Sequence, residues 1–295
     1  MNMETKELLT TKEVAAYLKI NEKKVYQLIQ EGSIPCTRVV GKWLFPLAHI
    51  NRWLEEETEN SRNIMVAGSD DPLLISLIEE FNQANFPRHL VFHAALGSQK
   101  GLVALAAGKA QIAGVHLFHP PTDSYNLPYI EKHLGGRKYV VINLAFRRQG
   151  LLVPAGNPLK IAKIGDLKKS GLNFVNRNPG SGTRYLLDYL LGREGITGTE
   201  IKGYDRELTT HLETGLEILR GSADAGMGIE YVARLLKLDF IPLAEERFDL
   251  VTFKDTFGTH PTRDFFAFIE PERLTLKGEN FPGYDFRSTG SKIVD

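Results

Sequence analysis

The sequence predicts a mixed α/β protein with two domains. A small helical domain with a β-hairpin is expected at residues 1–60, and a larger domain of alternating strands and helices at residues 61–295. Three observations support this prediction. Two short amphipathic segments joined by a tight turn come first. The polar stretch 55–62, which follows them, contains four glutamates. Beyond it, apolar strands alternate with helical patterns, which is typical of a mostly parallel sheet.

Composition and charge exclude several classes of protein. The formal net charge is zero, so any basic surface must be local. Cys36 is the single cysteine, which rules out a disulfide within the chain. The N-terminus lacks the basic stretch and apolar run of a signal peptide, and no segment has the length and apolar character of a membrane span. We therefore expect a cytoplasmic protein.

The first helices are predicted from their end signals. Thr10 and Glu13 have the spacing of a capping box, which begins the first helix. Asn21 is a good N-cap for a second helix, and Gly32 ends that helix. Two short helices joined by a tight turn form a helix-turn-helix.

A hairpin and a third helix complete the small domain. Residues 34–46 alternate weakly around Gly41 and Lys42, which predicts a β-hairpin, or wing. Pro46 is predicted to open a third helix with Ile50, Trp53 and Leu54 facing inward. The polar stretch 55–62 predicts a short linker at the domain boundary.

The small domain resembles the excisionase and MerR-type winged helix-turn-helix family over about residues 8–56. The resemblance is carried by residues 11–15, 25–29, 32–35 and 41–43. It implies that the second helix enters the major groove of DNA while the wing lies on the backbone. From Lys12 to Arg52 there are seven basic and three acidic residues, an excess that suits phosphate contact.

We predict that Lys23, Tyr26 and Gln27 contact base edges and that Arg38 and Lys42 contact phosphates. The predicted DNA-binding set is Lys23, Lys24, Tyr26, Gln27, Arg38 and Lys42. The alternative is a small helical domain whose lysines are merely solvated.

Three loops of the larger domain place a hydroxyl residue beside glycine at a predicted strand-to-helix junction. Their serines are Ser69, Ser98 and Ser181. Strand ends of an open parallel sheet form a natural binding crevice, and helix N-termini there attract anions. The sequence therefore predicts a small-anion site at these junctions. The alternative is that each serine only caps a helix.

The larger domain resembles periplasmic-binding-protein-like domains fused to helix-turn-helix modules, which are related to the molybdate and tungstate binding proteins of transporters. The matching segments include residues 97–102, 113–117, 125–128, 148–151, 174–188 and 221–226. The stretch from Asn176 through Arg184 is the most specific of them.

The resemblance implies a two-lobed type II periplasmic-binding-protein-like fold with the ligand in the cleft. Lobe one is expected at about 63–145 and 250–295, and lobe two at about 151–242. The expected ligand-binding residues are Ser69, Ser98, Ser181, Gly182, Thr183 and Arg184.

Two features of this predicted site leave alternatives open. Asp70 and Asp71 either point outward as first-turn helix acids or coordinate the metal centre of an oxometalate. Arg184 either reaches the anion or forms a surface ion pair. The histidines lack the spacing of a metal site, so no metal, cofactor or catalytic residue is predicted.

These patterns predict a regulator that binds double-stranded DNA, senses a small oxyanion such as molybdate or tungstate, and acts as a homodimer. The alternatives are a DNA-binding protein that senses another small metabolite, one with a vestigial cleft, and an enzyme that uses the cleft. No nucleophile with a neighbouring base and no P-loop is present to support an enzyme. Residues 281–295 are expected to form a loose tail.

Overall fold

A computed structural model describes residues 8–59 and 63–294 of the chain. The chain divides into two compact units, Met1–Arg62 and Asn63–Asp295, and each is described by itself. Residues 60–62 of the predicted linker lie outside the described residues.

The first unit folds as a winged helix-turn-helix. Its three-stranded sheet has the order β1-β3-β2. Its elements are β1 (Leu8–Thr10), α1 (Thr11–Tyr17), α2 (Glu22–Gln30), β2 (Thr37–Val39), β3 (Lys42–Pro46) and α3 (Leu47–Glu59). The predicted capping box of Thr10 and Glu13 is present, and the Asn21 side chain caps α2 by accepting from Lys24 N at 2.8 Å.

The packing of this unit follows the apolar spacing of its helices. Val14, Val25, Phe45 and Ile50 are fully buried against one another. The predicted start of the third helix is wrong by one residue, since Pro46 closes β3 and α3 begins at Leu47. The glutamates assigned to a linker instead extend α3 to Glu59, because glutamate is a good helix former.

The larger unit is built from alternating strands and helices. Its strands are β4 (Ile64–Gly68), β5 (Val91–Ala95), β6 (Ile112–Val115), β7 (Phe118–His119), β8 (Ser124–Tyr125), β9 (Tyr139–Val153), β10 (Phe174–Arg177), β11 (Glu207–Leu208), β12 (Ala225–Ile229), β13 (Asp239–Phe253), β14 (Tyr284–Asp285) and β15 (Lys292–Val294). Its helices are α4 (Pro72–Asn85), α5 (Ser98–Ala106), α6 (Leu127–Leu134), α7 (Gly182–Arg193), α8 (His211–Leu219), α9 (Glu230–Leu235), α10 (Lys254–Phe257), α11 (Thr262–Ala267) and α12 (Pro271–Leu276).

One curled sheet runs through this unit in the order β11-β10-β12-β9-β13-β6-β4-β5. The long strands β9 and β13 pair antiparallel over nearly their whole length and pass from one lobe to the other. Beside β13, the strands β6, β4 and β5 are parallel to one another. Beside β9, the strands β12, β10 and β11 form the second lobe, with β10 parallel to both of its neighbours. This is the two-lobed type II architecture, with a crevice at the strand ends.

Each lobe has its own hydrophobic core. In the first lobe, Leu74, Leu77 and Phe81 of α4 are buried against the sheet. In the second, Phe174 of β10 and Leu187 of α7 are fully buried together with strand residues of β9. The two cores are therefore largely distinct, although Phe118 of β7 packs in the core of the second lobe.

The expectation of a loose tail at 281–295 is wrong for its described residues. Strands β14 and β15 pair with β9 in register Tyr284↔Arg147 and Lys292↔Ile142. On that edge β12 pairs only with residues 149–152 of β9, which leaves the preceding stretch unpaired. An unpaired strand edge readily accepts a further strand, so the C-terminal segment covers it.

None of the helices in the described part of the chain combines the length and the apolar character needed to cross a membrane.

Candidate functional site

The predicted recognition helix α2 presents its polar residues to solvent. Val25 is fully buried and anchors the helix, whereas Lys23, Lys24, Tyr26 and Gln27 are exposed. Lys24 Nζ donates to Gln27 Oε1 at 3.1 Å, which orders these two side chains on the helix surface. The face that the sequence predicted for base contact is therefore accessible.

The wing lies beside this helix. Arg38 stacks over the Trp43 ring, with the guanidinium carbon 5.5 Å from the ring centroid, and Lys42 is exposed at the turn. A shallow depression of about 250 Å³ is lined by residues of α2 and the wing, among them Tyr26, Lys42 and Trp43. Tyr26, which is predicted to contact bases, and Lys42, which is predicted to contact phosphates, thus line the same depression.

Replacing Lys42 with alanine is expected to weaken DNA binding uniformly across sequences. Loss of one phosphate contact should reduce the slope of log affinity against log salt by about 1. Fluorescence anisotropy with a random-sequence duplex over a KCl series measures this slope. Lys109→Ala removes an exposed lysine of the larger unit and should leave the slope unchanged. An unchanged slope in Lys42→Ala would show that the wing lysine makes no phosphate contact.

In the larger unit, the three serine loops lie together between the lobes. Gly97 N donates to Gly68 O at 2.8 Å, which joins the first loop to the second. Gln99 N donates to Gly180 O at 3.2 Å, which joins the second loop to the third and so links the two lobes. The structure therefore brings Ser69, Ser98 and Ser181 into one region.

The hydroxyl groups of Ser98, Ser181 and Thr183 are buried, and each already accepts one hydrogen bond. Ser98 Oγ accepts from His116 N at 3.2 Å, and Ser181 Oγ caps α7 by accepting from Arg184 N at 3.2 Å. Thr183 Oγ1 accepts from Gln149 Nε2 at 2.8 Å. Each of these hydroxyls keeps its own hydrogen for a further bond, so their predicted ligand contacts remain compatible with their structural roles.

Gly182 packs closely against His116 of the other lobe. A Cβ atom at this position would lie 2.3 Å from His116 O, so only glycine fits there. This contact explains the glycine by packing, and its ligand contact stays a prediction.

Neither acid next to Ser69 points outward. Asp70 Oδ2 accepts from the backbone nitrogen of His211 at 2.9 Å, so this carboxylate of lobe one occupies the N-terminus of α8 in lobe two. Asp71 Oδ1 caps α4 by accepting from Leu74 N at 2.8 Å. The outward orientation considered from the sequence is wrong, because both carboxylates find buried partners.

Arg147 organises a buried charge network where β9 and β13 cross between the lobes. Its Nη1 bonds Asp71 and its Nε bonds Glu246, and all three side chains are excluded from solvent. Tyr284 Oη donates to Asp71 Oδ2 at 2.7 Å, which ties the C-terminal strands to the same network. Gln149 Nε2 donates to Glu246 Oε1 at 3.0 Å.

The charges in this network set its protonation states. Burial by itself raises the pKa of Glu246, but the adjacent charge of Arg147 and the bond from His116 outweigh it and hold the pKa at about 2. Burial lowers the pKa of His116, although Glu246 beside it acts in the opposite direction. Glu246 is therefore a carboxylate that accepts from His116 Nδ1 at 2.7 Å.

Arg184, which the sequence included in the ligand site, lies elsewhere. Its Nε donates to Asp188 Oδ1 at 3.1 Å, and its guanidinium stacks 4.1 Å from the centroid of the Tyr204 ring. The Arg184 side chain is 13% exposed, and its Nη1 also donates to Arg177 O at 3.3 Å. Of the two possibilities considered for Arg184, the structure shows the ion pair, formed with Asp188.

Besides Arg147, a second buried arginine of the interlobe region is Arg177, which was not predicted from the sequence. It is the last residue of β10 and is 2% exposed. Its Nη2 donates to Thr209 O at 2.7 Å, but its Nε and Nη1 have no hydrogen-bond partner among the described residues. Its place at the carboxyl end of a parallel strand was the signal that could have found it.

His211 is a second residue that sequence reasoning left out of the site. It is fully buried at the start of α8, its ring centroid is 6.5 Å from that of His116, and neither ring nitrogen has a partner in the described part of the chain. Burial, followed by the charges of Arg177 and Arg147, holds the pKa of His211 well below its usual value, so the ring is neutral. Burial likewise lowers the pKa of Arg177 to about 10, although Asp70 opposes this, and Arg177 remains charged.

Comparison with known families agrees with this architecture. Residues 78–270 match the family model described as the PBP superfamily domain, which covers more than half of the chain. Residues 8–58 match the model of a helix-turn-helix domain.

Similar proteins span nearly the whole chain or the larger unit. The Bacillus subtilis (strain 168) protein named "Uncharacterized protein YvgK" is 28% identical over 305 residues, covering 97% of each chain. An ABC-type phosphate transport receptor from Vibrio cholerae is 19% identical, covers 76% of this chain and 99% of its own, and has a TM-score of 0.51. A tungstate ABC transporter structure from Geobacter sulfurreducens is 14% identical, covers 73% and 97%, and has a TM-score of 0.53. At these identities the two structures show a shared fold. The chain therefore belongs to the PBP superfamily domain family, and it carries a helix-turn-helix domain ahead of that domain.

Proposed function

We propose that this protein is a cytoplasmic transcription regulator whose larger domain binds a small oxyanion between its lobes and thereby changes DNA binding by the winged helix-turn-helix. Lys23, Lys24, Tyr26, Gln27, Arg38 and Lys42 form the proposed DNA-binding surface. Because winged modules commonly read paired half-sites, a homodimer is the proposed active form.

The observation that carries the ligand site is the side chain of Arg177. A buried guanidinium with two unpartnered nitrogen atoms is costly unless an acceptor reaches it. An oxyanion accepts such bonds in parallel and compensates the charge at the same time. Arg177 lies at the carboxyl end of β10, before the loop of Ser181, and we assign it the anchoring role predicted for Arg184.

The serine and threonine hydroxyls complete the proposed site. Ser98, Ser181 and Thr183 each retain a hydrogen after the bonds they accept, and they sit at the N-termini of α5 and α7. By resemblance to transporter binding proteins alone, molybdate and tungstate come first among candidate oxyanions, whereas the buried contacts argued in the next subsection favour a different anion.

The coupling to DNA follows from the position of the site. A ligand that contacts residues of both lobes favours the closed form by the difference between its affinities for the closed and open forms. Closure of the two lobes about β9 and β13 is then the conformational change that alters DNA binding. A catalytic role has no support among these residues, since their hydrogen bonds orient and neutralise charge without activating a nucleophile.

A two-part experiment tests this function. Thermal unfolding of the full-length protein is followed with molybdate, tungstate, sulfate and phosphate, and anisotropy measures DNA affinity with and without each anion. An effector present at 100 times its dissociation constant should stabilise the fold by about 2.7 kcal/mol. The same anion should change DNA affinity. If none of these anions alters either quantity, sensing of an inorganic tetrahedral oxyanion is refuted.

A further inference from the structure

We propose, resting on the oxyanion-sensing function above, that the ligand carries its own hydrogen-bond donor beside its anionic group. Inorganic phosphate, with its O–H, and a short hydroxycarboxylate such as lactate share this chemistry. Fully deprotonated tetrahedral dianions such as sulfate, molybdate and tungstate lack it.

Several buried polar atoms of the interlobe region have no hydrogen-bond partner within the described ranges. The donors among them are Nε and Nη1 of Arg177 and Nη2 of Arg147, and the neutral ring of His211 adds one N–H donor and one acceptor nitrogen. On the acceptor side the amide oxygen Oε1 of Gln149 is likewise unpartnered, and Gln149 is fully buried. A ligand that only accepts hydrogen bonds satisfies the guanidinium groups but leaves the Gln149 oxygen without a donor.

The orientation of the Gln149 amide is determined by its other bonds. Its Nε2 donates both to Thr183 Oγ1 at 2.8 Å and to Glu246 Oε1 at 3.0 Å. Glu246 is a carboxylate and accepts only, so the nitrogen must face it. The oxygen is thereby directed away from these two partners, and rotating the amide to hide it would break two buried bonds.

Carboxylates of the protein itself occupy two helix N-termini in this region. Asp71 caps α4, and Asp70 accepts from the first backbone nitrogen of α8. These ends are therefore already compensated and offer little further attraction to a ligand.

In the described part of the chain, the interlobe region contains more carboxyl groups than guanidinium groups. Within the described residues, the interlobe cluster holds three carboxyl groups (Asp70, Asp71 and Glu246) and two guanidinium groups (Arg147 and Arg177). Burial keeps His116 and His211 neutral by lowering their pKa values. A dianion meets carboxylate repulsion here, whereas an anion of lower charge that also donates a hydrogen bond fits both the charges and the unpartnered atoms.

Matched anion pairs test this inference on the full-length protein by isothermal titration calorimetry. Phosphate and sulfate have the same tetrahedral shape, but only phosphate carries a hydrogen at neutral pH. Lactate and propionate are both monocarboxylates, but only lactate carries a hydroxyl group. We expect the donor-bearing member of at least one pair to bind about 10- to 100-fold more tightly, because its partner leaves a buried acceptor unsatisfied. The pair that shows this preference identifies which source of the chemistry the protein recognises.

A variant locates the preference at Gln149. In Gln149→Leu the ratio between the affinities for the two anions of the preferred pair should fall towards one. A general loss of stability affects both affinities alike and leaves this ratio unchanged. Gln83→Leu, which alters an exposed glutamine of α4, should keep the wild-type ratio. Equal or tighter binding of sulfate, molybdate or tungstate relative to phosphate and lactate would overturn this inference while leaving the oxyanion-sensing function intact. Absence of binding by every anion would overturn both.

Discussion

Replacing Arg147 with methionine is expected to lower the free energy of unfolding by roughly 3–5 kcal/mol, because it leaves the buried carboxylates of Asp71 and Glu246 without their cation. Removal of one partner from a buried ion pair costs far more than the pair itself contributes, since the remaining charge stays desolvated. Urea denaturation followed by fluorescence measures the change.

Arg287 provides a matched control for this measurement. It also pairs with two carboxylates, Glu245 and Asp285, and also stacks on a phenylalanine, Phe146, but its side chain is 48% exposed. Solvent screens such pairs, so Arg287→Met should cost less than about 1 kcal/mol. A second variant combining Arg147→Met with Asp71→Asn and Glu246→Gln should regain much of the lost stability, because the unpaired charges are gone. Equal costs for Arg147→Met and Arg287→Met would contradict the buried network.

Replacing Arg177 with methionine should abolish stabilisation by the effector anion. The variant loses both unpartnered guanidinium nitrogens and the charge that compensates the ligand, so affinity is expected to fall by at least about 100-fold. The apo protein should remain folded, since methionine fills a comparable volume and removes a desolvated charge. A ligand-dependent thermal shift, measured beside circular dichroism of the apo form, separates binding from folding.

Arg184→Met is the informative comparison, because the two arginines are seven residues apart on one specific sequence block. Arg184 bonds Asp188 and stacks on Tyr204, so its loss should leave the anion-dependent shift in place. If Arg184→Met removed the shift and Arg177→Met kept it, the assignment derived from the sequence would be right and that derived from the structure would be wrong.

The sequence by itself determined those features that depend on residues close together in the chain. The capping box of Thr10 with Glu13 joins a side chain to a backbone nitrogen three residues away, and it is present. The order of strands and helices followed from apolar spacing for the same reason. The three serine loops were placed at strand-to-helix junctions because such junctions carry a local signature.

Only the tertiary structure decided which charged groups meet. Asp70 reaches the nitrogen of His211 across 141 residues of chain, and Arg147 reaches Asp71 across 76. Whether Arg177 or Arg184 points between the lobes depends on how β10 and α7 pack, and the position of Arg177 at a strand end marks it as a candidate without deciding between the two. The C-terminal strands likewise form because β12 pairs only with residues 149–152 of β9, so the earlier part of that strand edge is free to pair with them. Local hydrogen bonds are encoded in short spacings, whereas the pairing of buried charges is set by the packing of elements distant in sequence.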